Sequence, residues 1–189
     1  MSLKLFRKKA YVGVDLGTQT IKVAQIEAQG DRWVVSRRAE VGTPKDSIKD
    51  GVVVDSQAVA DGIKAALRKA KITATSAIIG VAGGSVIVRN VRIPRMPEST
   101  LRKSIRYEAG RYVPSSIEDS FIEFEILGEC ADNQMDVLIV AAPREIVKSR
   151  VDACANAGLE VEVVDIEAFA MYRALVEADS IPTLGLEPG

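Results

Sequence analysis

The chain has 189 residues, 47% hydrophobic and 27% charged, and its 25 Lys and Arg against 26 Asp and Glu leave a formal net charge of -1. That is a globular composition, long enough to bury about 70% of the unfolded surface without staples, and its charge gives no global field for phosphate backbones, which disfavours a dedicated nucleic-acid binder. There is no histidine, which removes Ser-His-Asp and Cys-His nucleophiles and His-ligated zinc, and the two cysteines, Cys130 and Cys154, lack CxxC spacing and read as reduced thiols.

Residues 1–9 are basic and lead into no apolar segment of the signal-peptide kind, and apolar runs such as residues 137–142 fall well short of the roughly 18 residues of a membrane span. A cytoplasmic protein is the expectation. Residues 11–16, 21–26 and 32–41 then read as three successive strands, joined by turns at Gly17-Thr18-Gln19-Thr20 and Gly30-Asp31. Alternation in the third places Trp33, Val35, Ala39 and Val41 toward a core and Arg32, Ser36, Arg38 and Glu40 toward water. A loop with Gly42, Pro44 and Gly51 leads to Ser56, read as the N-cap of a helix in which Val59, Ile63, Ala66, Leu67 and Ala70 recur at helical spacing. Asp61, Lys64, Arg68 and Lys71 form its solvated face. Residues 76–82 read as a buried strand, completing a βββαβ order.

The pattern then changes. Residues 86–93 predict a strand stopped by Pro94 and Pro97, and residues 98–112 a basic helix stopped before Pro114. Strands are expected at 121–127 and 135–141 around a turn at Asp132-Asn133. Pro143 opens a helix whose Val147, Val151 and Cys154 share a face and which ends with Gly158 at C′. This βαββα unit reads as an insertion, because a strand at 161–165 and a helix at 167–177 resume the first unit.

The stretch that carries chemistry is Val12-Gly13-Val14-Asp15-Leu16-Gly17-Thr18-Gln19-Thr20-Ile21-Lys22. A carboxylate at a strand end, followed by a Gly-Thr turn, places successive backbone N–H groups around a concavity suited to phosphate oxygens. Asp15 suits a Mg²⁺ ion, a hard cation that takes oxygen ligands and keeps several waters. Spacing alone equally fits a plain hairpin turn whose amides Asp15 accepts.

Asp15-Leu16-Gly17-Thr18-Gln19-Thr20 on the first hairpin of a βββαβ unit resembles the first phosphate loop of the actin-like ATPase superfamily, which includes actin, Hsp70-type chaperones, sugar kinases and the division protein FtsA. The inserted unit is similar to that of the FtsA-like branch. Within that branch, Val91-Arg92-Ile93-Pro94-Arg95-Met96-Pro97, Ile105-Arg106-Tyr107-Glu108-Ala109-Gly110-Arg111-Tyr112-Val113-Pro114 and Val137-Leu138-Ile139-Val140-Ala141-Ala142-Pro143-Arg144 resemble the PilM family of type IV pilus assembly. The likeness runs over about residues 11–176.

The resemblance implies an α/β fold: an actin-like, ribonuclease H-like first-half domain at 1–85 plus 160–178, interrupted by an FtsA-type subdomain at 86–159, while residues 179–189, with Pro182, Gly185, Pro188 and Gly189 and no periodicity, read as a disordered tail. It implies ATP and Mg in the complete protein, with Asp15, Gly17, Thr18, Gln19, Thr20 and Lys22 at the phosphates and Asp15 at the metal. It also implies an adaptor peripheral to the inner membrane, holding the N-terminal cytoplasmic peptide of PilN in a groove between subdomains and linking to pilus platform and motor proteins, without nucleic acid. The second phosphate loop and adenosine pocket of the superfamily have no counterpart here. Asp165-Ile166-Glu167 lacks the glycine, and Asp165 reads as a strand end or N-cap. Weak or absent ATP binding, and no catalysis, is therefore expected of this chain alone, with at most a weak ATPase once a second half is present.

A basic cluster remains, with Arg89, Arg92, Arg95, Arg102, Lys103, Arg106 and Arg111 around Tyr107 and Tyr112. One reading has Leu101, Ile105 and Tyr112 facing a core beneath solvated cations. The other has a peptide-docking surface at Arg89, Arg92, Arg95, Tyr107 and Arg111, residue types that fork onto carboxylates and pack against a partner. Alternatives of function are an FtsA-like division scaffold, a type II secretion adaptor with a poorer phosphate loop, and an ATPase or phosphotransferase using Asp15 for Mg²⁺.

Overall fold

A computed structural model describes residues 10–29, 32–84, 86–113 and 117–177. The basic start, the Gly30-Asp31 turn, the side chain of Trp33 and the tail at 179–189 lie outside the described residues. In chain order the strands are β1 Tyr11–Leu16, β2 Thr20–Gln29, β3 Arg32–Gly42, β4 Ile48–Lys49 and β5 Val52–Val53, followed by helix α1 Ser56–Ala70 and strand β6 Ser76–Val81. Then come β7 Ile87–Pro94, α2 Glu98–Ala109, β8 Ser120–Cys130, β9 Gln134–Pro143, α3 Arg144–Asn156, β10 Glu160–Ile166 and α4 Glu167–Tyr172, with a π-helical turn at Arg173–Glu177. Two units result, residues 1–80 with 149–189 and residues 81–148. The last turns of α3, which the sequence reading gives to the insert, therefore fall in the first unit.

The first unit is built on a five-stranded sheet in the order β10-β6-β1-β2-β3. β1 is antiparallel to β2, β2 to β3, and β1 parallel to β6. Period-two alternation sends Val12, Val14 and Leu16 of β1, with Ile21 and Val23 of β2, into one core. Val59, Ala60, Ile63 and Ala66 of α1 and Ala153 and Cys154 of α3 fill that core. The opposite parity, Gly13 and Asp15 on β1 with Lys22 and Ala24 on β2, faces away from it.

Three local features differ from the sequence reading. The N-cap of α1 is Asp55, whose Oδ1 accepts from the Ala58 amide at 2.9 Å, and Ser56 is the first helical residue. A bulge sets Gln25 opposite Arg37 but Ile26 opposite Val35, leaving Ser36 over. The alternation of β3 reverses there, so Val35 is 60% exposed beside Ile26 at 43%, not core-facing as expected. The loop after Gly42 contains the β4–β5 hairpin, closed by Asp50 and Gly51 at φ 50° and 84°. Asp-Gly with both residues at positive φ is the favoured two-residue hairpin turn.

Gly158 ends α3 as expected, at φ 86°, with its amide on Ala155 O and the Leu159 amide on Cys154 O. These are the paired bonds of a Schellman cap.

The second unit is a three-stranded antiparallel sheet, β7-β9-β8, packed by α2. Val91 and Ile93, Leu101 and Ile105, and Met135, Val137 and Ile139 form its core. After Ala109 the chain turns by short bonds from Arg111 N–H to Glu108 O and Tyr112 N–H to Ala109 O. The helix therefore stops before Tyr112, which is exposed instead of joining Leu101 and Ile105 inside. Among the described residues no helix is long and apolar enough to cross a membrane.

Two measurements check this packing. Asp55→Ala removes the N-cap bond of α1 and should lower the stability by about 1 kcal/mol in urea unfolding. Cys154 is fully buried and its thiol is pushed up to about 12 by burial, whereas Cys130 is half-buried and therefore accessible, though its hydrogen bond with Asp136 raises its thiol too. At pH 8 an alkylating reagent should therefore label Cys130 alone in the folded protein and both thiols after unfolding.

Candidate functional site

Asp15 occupies the penultimate position of β1, and the antiparallel register puts Lys22 of β2 directly opposite it. Lys22 Nζ donates to Asp15 Oδ2 at 2.8 Å, with both side chains about half exposed. That hydrogen bond, and then the charge of Asp15, raises the Lys22 pKa above its ordinary value, helped by Glu40 and Glu167. Between them the turn closes on itself, Gly17 N–H donating to Thr20 O at 3.1 Å. A Cβ at Gly17 would stand 2.9 Å from that same backbone oxygen, so glycine alone fits the turn undisturbed. Thr43 braces it from outside, its amide donating to Gln19 O at 3.0 Å and its hydroxyl to Gly17 O at 2.6 Å. Among the described residues, the amides of Thr18 and Gln19 donate to no backbone carbonyl, and both residues are exposed. They are the two donors that the turn leaves for a ligand.

Asp15 and Lys22 also line a cleft of about 900 Å³ on the sheet face turned away from the core, whereas Gly17 to Thr20 do not line it. Gly13, Ala24 and Gly80 keep the cleft open, and Glu40, Asp165 and Glu167 add carboxylates to it. Glu167 lies directly on Gly80, where a Cβ would come within 2.5 Å of its Cγ. Asp165 sits at the end of β10, accepts the Ile166 amide at 2.8 Å and pairs with Arg173. It is thus a strand-end residue. The sequence reading does not find Glu40 or Glu167 as site residues, because the β2–β3 register sets Glu40 opposite Lys22 and only the strand order brings β10 and α4, with Glu167, to the cleft.

A further residue missed by sequence is Arg150 of α3, only 5% exposed. Its Nε donates to Gly51 O at 3.1 Å, and its Nη1 to Leu16 O at 3.3 Å and Gly80 O at 3.4 Å. One side chain thus joins the β4–β5 turn and the exits of β1 and β6. The neighbouring Ser149 Oγ accepts the Val53 amide at 3.1 Å. Burial lowers the pKa of Arg150 from its ordinary value, while the charges of Glu167 and Asp15 act the other way.

The donor set fits a phosphate-bound cation. Among the described residues no group of three or more His, Cys, Asp or Glu side chains could cage a metal. Asp15 supplies one carboxylate, which is what Mg²⁺ takes from a protein when phosphate oxygens and waters complete its shell.

The expected docking residues fall on two elements of the second unit. Arg89 lies exposed on β7, with Nη1 on Val88 O at 3.2 Å. Arg92 forks onto Asp136, Nε to Oδ1 at 2.9 Å and Nη2 to Oδ2 at 3.3 Å. Arg95, just after β7, meets Glu129 at 2.6 Å. At the end of α2, Tyr107 is 70% exposed with the Arg111 guanidinium 5.0 Å over its ring, and Arg111 lies 3.4 Å from Glu108. Arg92, Arg95 and Arg111 are therefore paired locally, and Tyr107 is the large side chain that stands out.

The family model for the type IV pilus assembly protein PilM matches residues 13–186. Among solved structures, a chain of a PilM–PilN type IV pilus biogenesis complex aligns with a TM-score of 0.78 and 27% identity, over 88% of this chain and 49% of that one. The cytoplasmic domain of EpsL, an inner-membrane component of the type II secretion system of Vibrio cholerae, aligns with a TM-score of 0.56 and 16% identity, over 85% and 58%. A Bacteroides thetaiotaomicron protein with an actin-like ATPase fold aligns with a TM-score of 0.41 and 13% identity, over 87% and 55%. This chain thus spans about half the length of the matched pilus protein. The fold is the mixed α/β class that the sequence reading expects, shared with the pilus and secretion proteins it aligns with. By the extent of the family match, the chain belongs to the PilM family of type IV pilus assembly proteins.

Proposed function

We propose that the chain is the first half of a pilus-assembly scaffold that holds the N-terminal cytoplasmic peptide of a PilN-type membrane protein and, in the protein carrying the whole fold, the phosphates of ATP with Mg²⁺. The observation that supports this most is the family match across residues 13–186, together with a first hairpin whose free amides and carboxylate suit a phosphate ligand. Partner binding places the scaffold at the inner face of the inner membrane, in contact with the pilus platform and motors.

ATP–Mg, when bound, supplies an anion with a hard cation attached. The chain's own residues then have separate tasks. The amides of Thr18 and Gln19 donate to phosphate oxygens, Gly17 keeps the turn tight, and Thr20 closes it. Asp15 orients the water shell of the cation, and Lys22, held beside Asp15, offers a second positive charge. A ligand of this kind shifts a binding surface between states by differential affinity alone, which requires no turnover. On the partner side, Tyr107 packs against the peptide and Arg89 forks onto its carboxylates or carbonyls, joined by Arg92, Arg95 and Arg111 as they exchange Asp136, Glu129 and Glu108 for peptide acceptors.

Titration of a labelled PilN-type N-terminal peptide into the longer protein should show saturable binding that tightens with Mg-ATP, and Tyr107→Ala should weaken it by about tenfold or more. Absence of peptide binding in both nucleotide states overturns the scaffold reading. Asp15→Ala should lower Mg-ATP affinity by at least about tenfold in calorimetry, yet leave thermal stability nearly unchanged, because the exposed Asp15–Lys22 pair contributes at most about 1 kcal/mol. Equal affinity in Asp15→Ala and wild type counts against the site.

A further inference from the structure

We infer that Arg150 is the positioning residue of the phosphate loop, a buried guanidinium that fixes the exits of β1 and β6 and sets a positive charge beside the Asp15–Thr20 turn. The inference rests on the nucleotide reading above only for the identity of the ligand. The mechanical link is short. Arg150 Nη1 holds Leu16 O, and the Leu16–Gly17 peptide is planar and trans, so fixing its carbonyl fixes the direction of the Gly17 N–H on its far side. That N–H closes the turn on Thr20 O. The orientation of the Thr18 and Gln19 amides follows from the closed turn.

The electrostatic link is separate. Among the described residues Arg150 forms no ion pair, its partners being the carbonyl oxygens of Gly51, Leu16 and Gly80. Carbonyl dipoles solvate a buried cation without neutralising it. Asp15 and Glu167 lie close enough to act on its charge, and an anion brought to Asp15 with its cation would do so too. A guanidinium suits this position because its planar fork reaches three acceptors from one helix, where an ammonium offers a single point.

Amide hydrogen exchange in the full protein that carries this chain, without nucleotide, tests the positioning role directly. In Arg150→Met, exchange at Gly17 and Thr43, whose amides close and brace the turn, should accelerate by about tenfold or more, while Ile63 and Ala66 inside α1 stay within about twofold. Arg150→Lys, which keeps the charge and loses the fork, should fall between and carries the same test if the Met variant does not fold. Unchanged rates at Gly17 and Thr43, or equal acceleration in α1, would overturn the inference. Mg-ATP affinity should then fall in the order wild type, Lys, Met. A wild type that binds no Mg-ATP, with the selective exchange change still present, would overturn the nucleotide reading and leave the positioning role standing.

Discussion

Burial on one face of β1 is the constraint from which the rest follows. Val12, Val14 and Leu16 enter the core beneath α1, so Gly13 and Asp15 must face the other way. A slip of one residue would exchange the two sets and put a carboxylate into hydrocarbon. The same alternation on β2 buries Ile21 and Val23 and turns Lys22 outward, which is why the two charges meet across the pair. The hydrophobic pattern that stabilises the sheet thereby also fixes the chemistry of its open face.

The strand ends are held by different physics. Where β1 and β6 run out, the carbonyls of Leu16 and Gly80 take hydrogen bonds from the buried Arg150. Hydrogen bonds to a charged group contribute about 1.5–3 kcal/mol each, offset by the cost of taking the guanidinium out of water. Net stabilisation is therefore modest, and the specific result is geometric: three distant chain segments converge on one rigid fork. Cys154, one helical turn along α3, fills the adjoining apolar space.

The sheet meander, α1, the second unit and Gly158 were legible in the sequence because they rest on period-two or period-3.6 patterning and on glycine and proline punctuation. Asp15, Gly17 and the Thr18 turn were legible because they lie in one contiguous stretch. Val35 was misread because the bulge at Ser36 is a pairing event, fixed by β2 and invisible in β3 alone. The β4–β5 hairpin was missed although Lys49-Asp50-Gly51-Val52 carries the favoured turn, since its strands are two residues each. Glu40, Glu167 and Arg150 could not be found by scanning, because Glu40 comes opposite Lys22 only through the β2–β3 register, and Glu167 and Arg150 come close only through the strand order and the docking of α3.

Gly51 is a case where backbone geometry reaches across the chain. Its left-handed conformation turns a carbonyl toward Arg150, which also holds Leu16. The small hairpin and the Gly17 turn are thus two tenants of one guanidinium, and a change that re-aims the first alters the footing of the second. Through that side chain, which belongs to neither, two separate loops behave as a single mechanical unit.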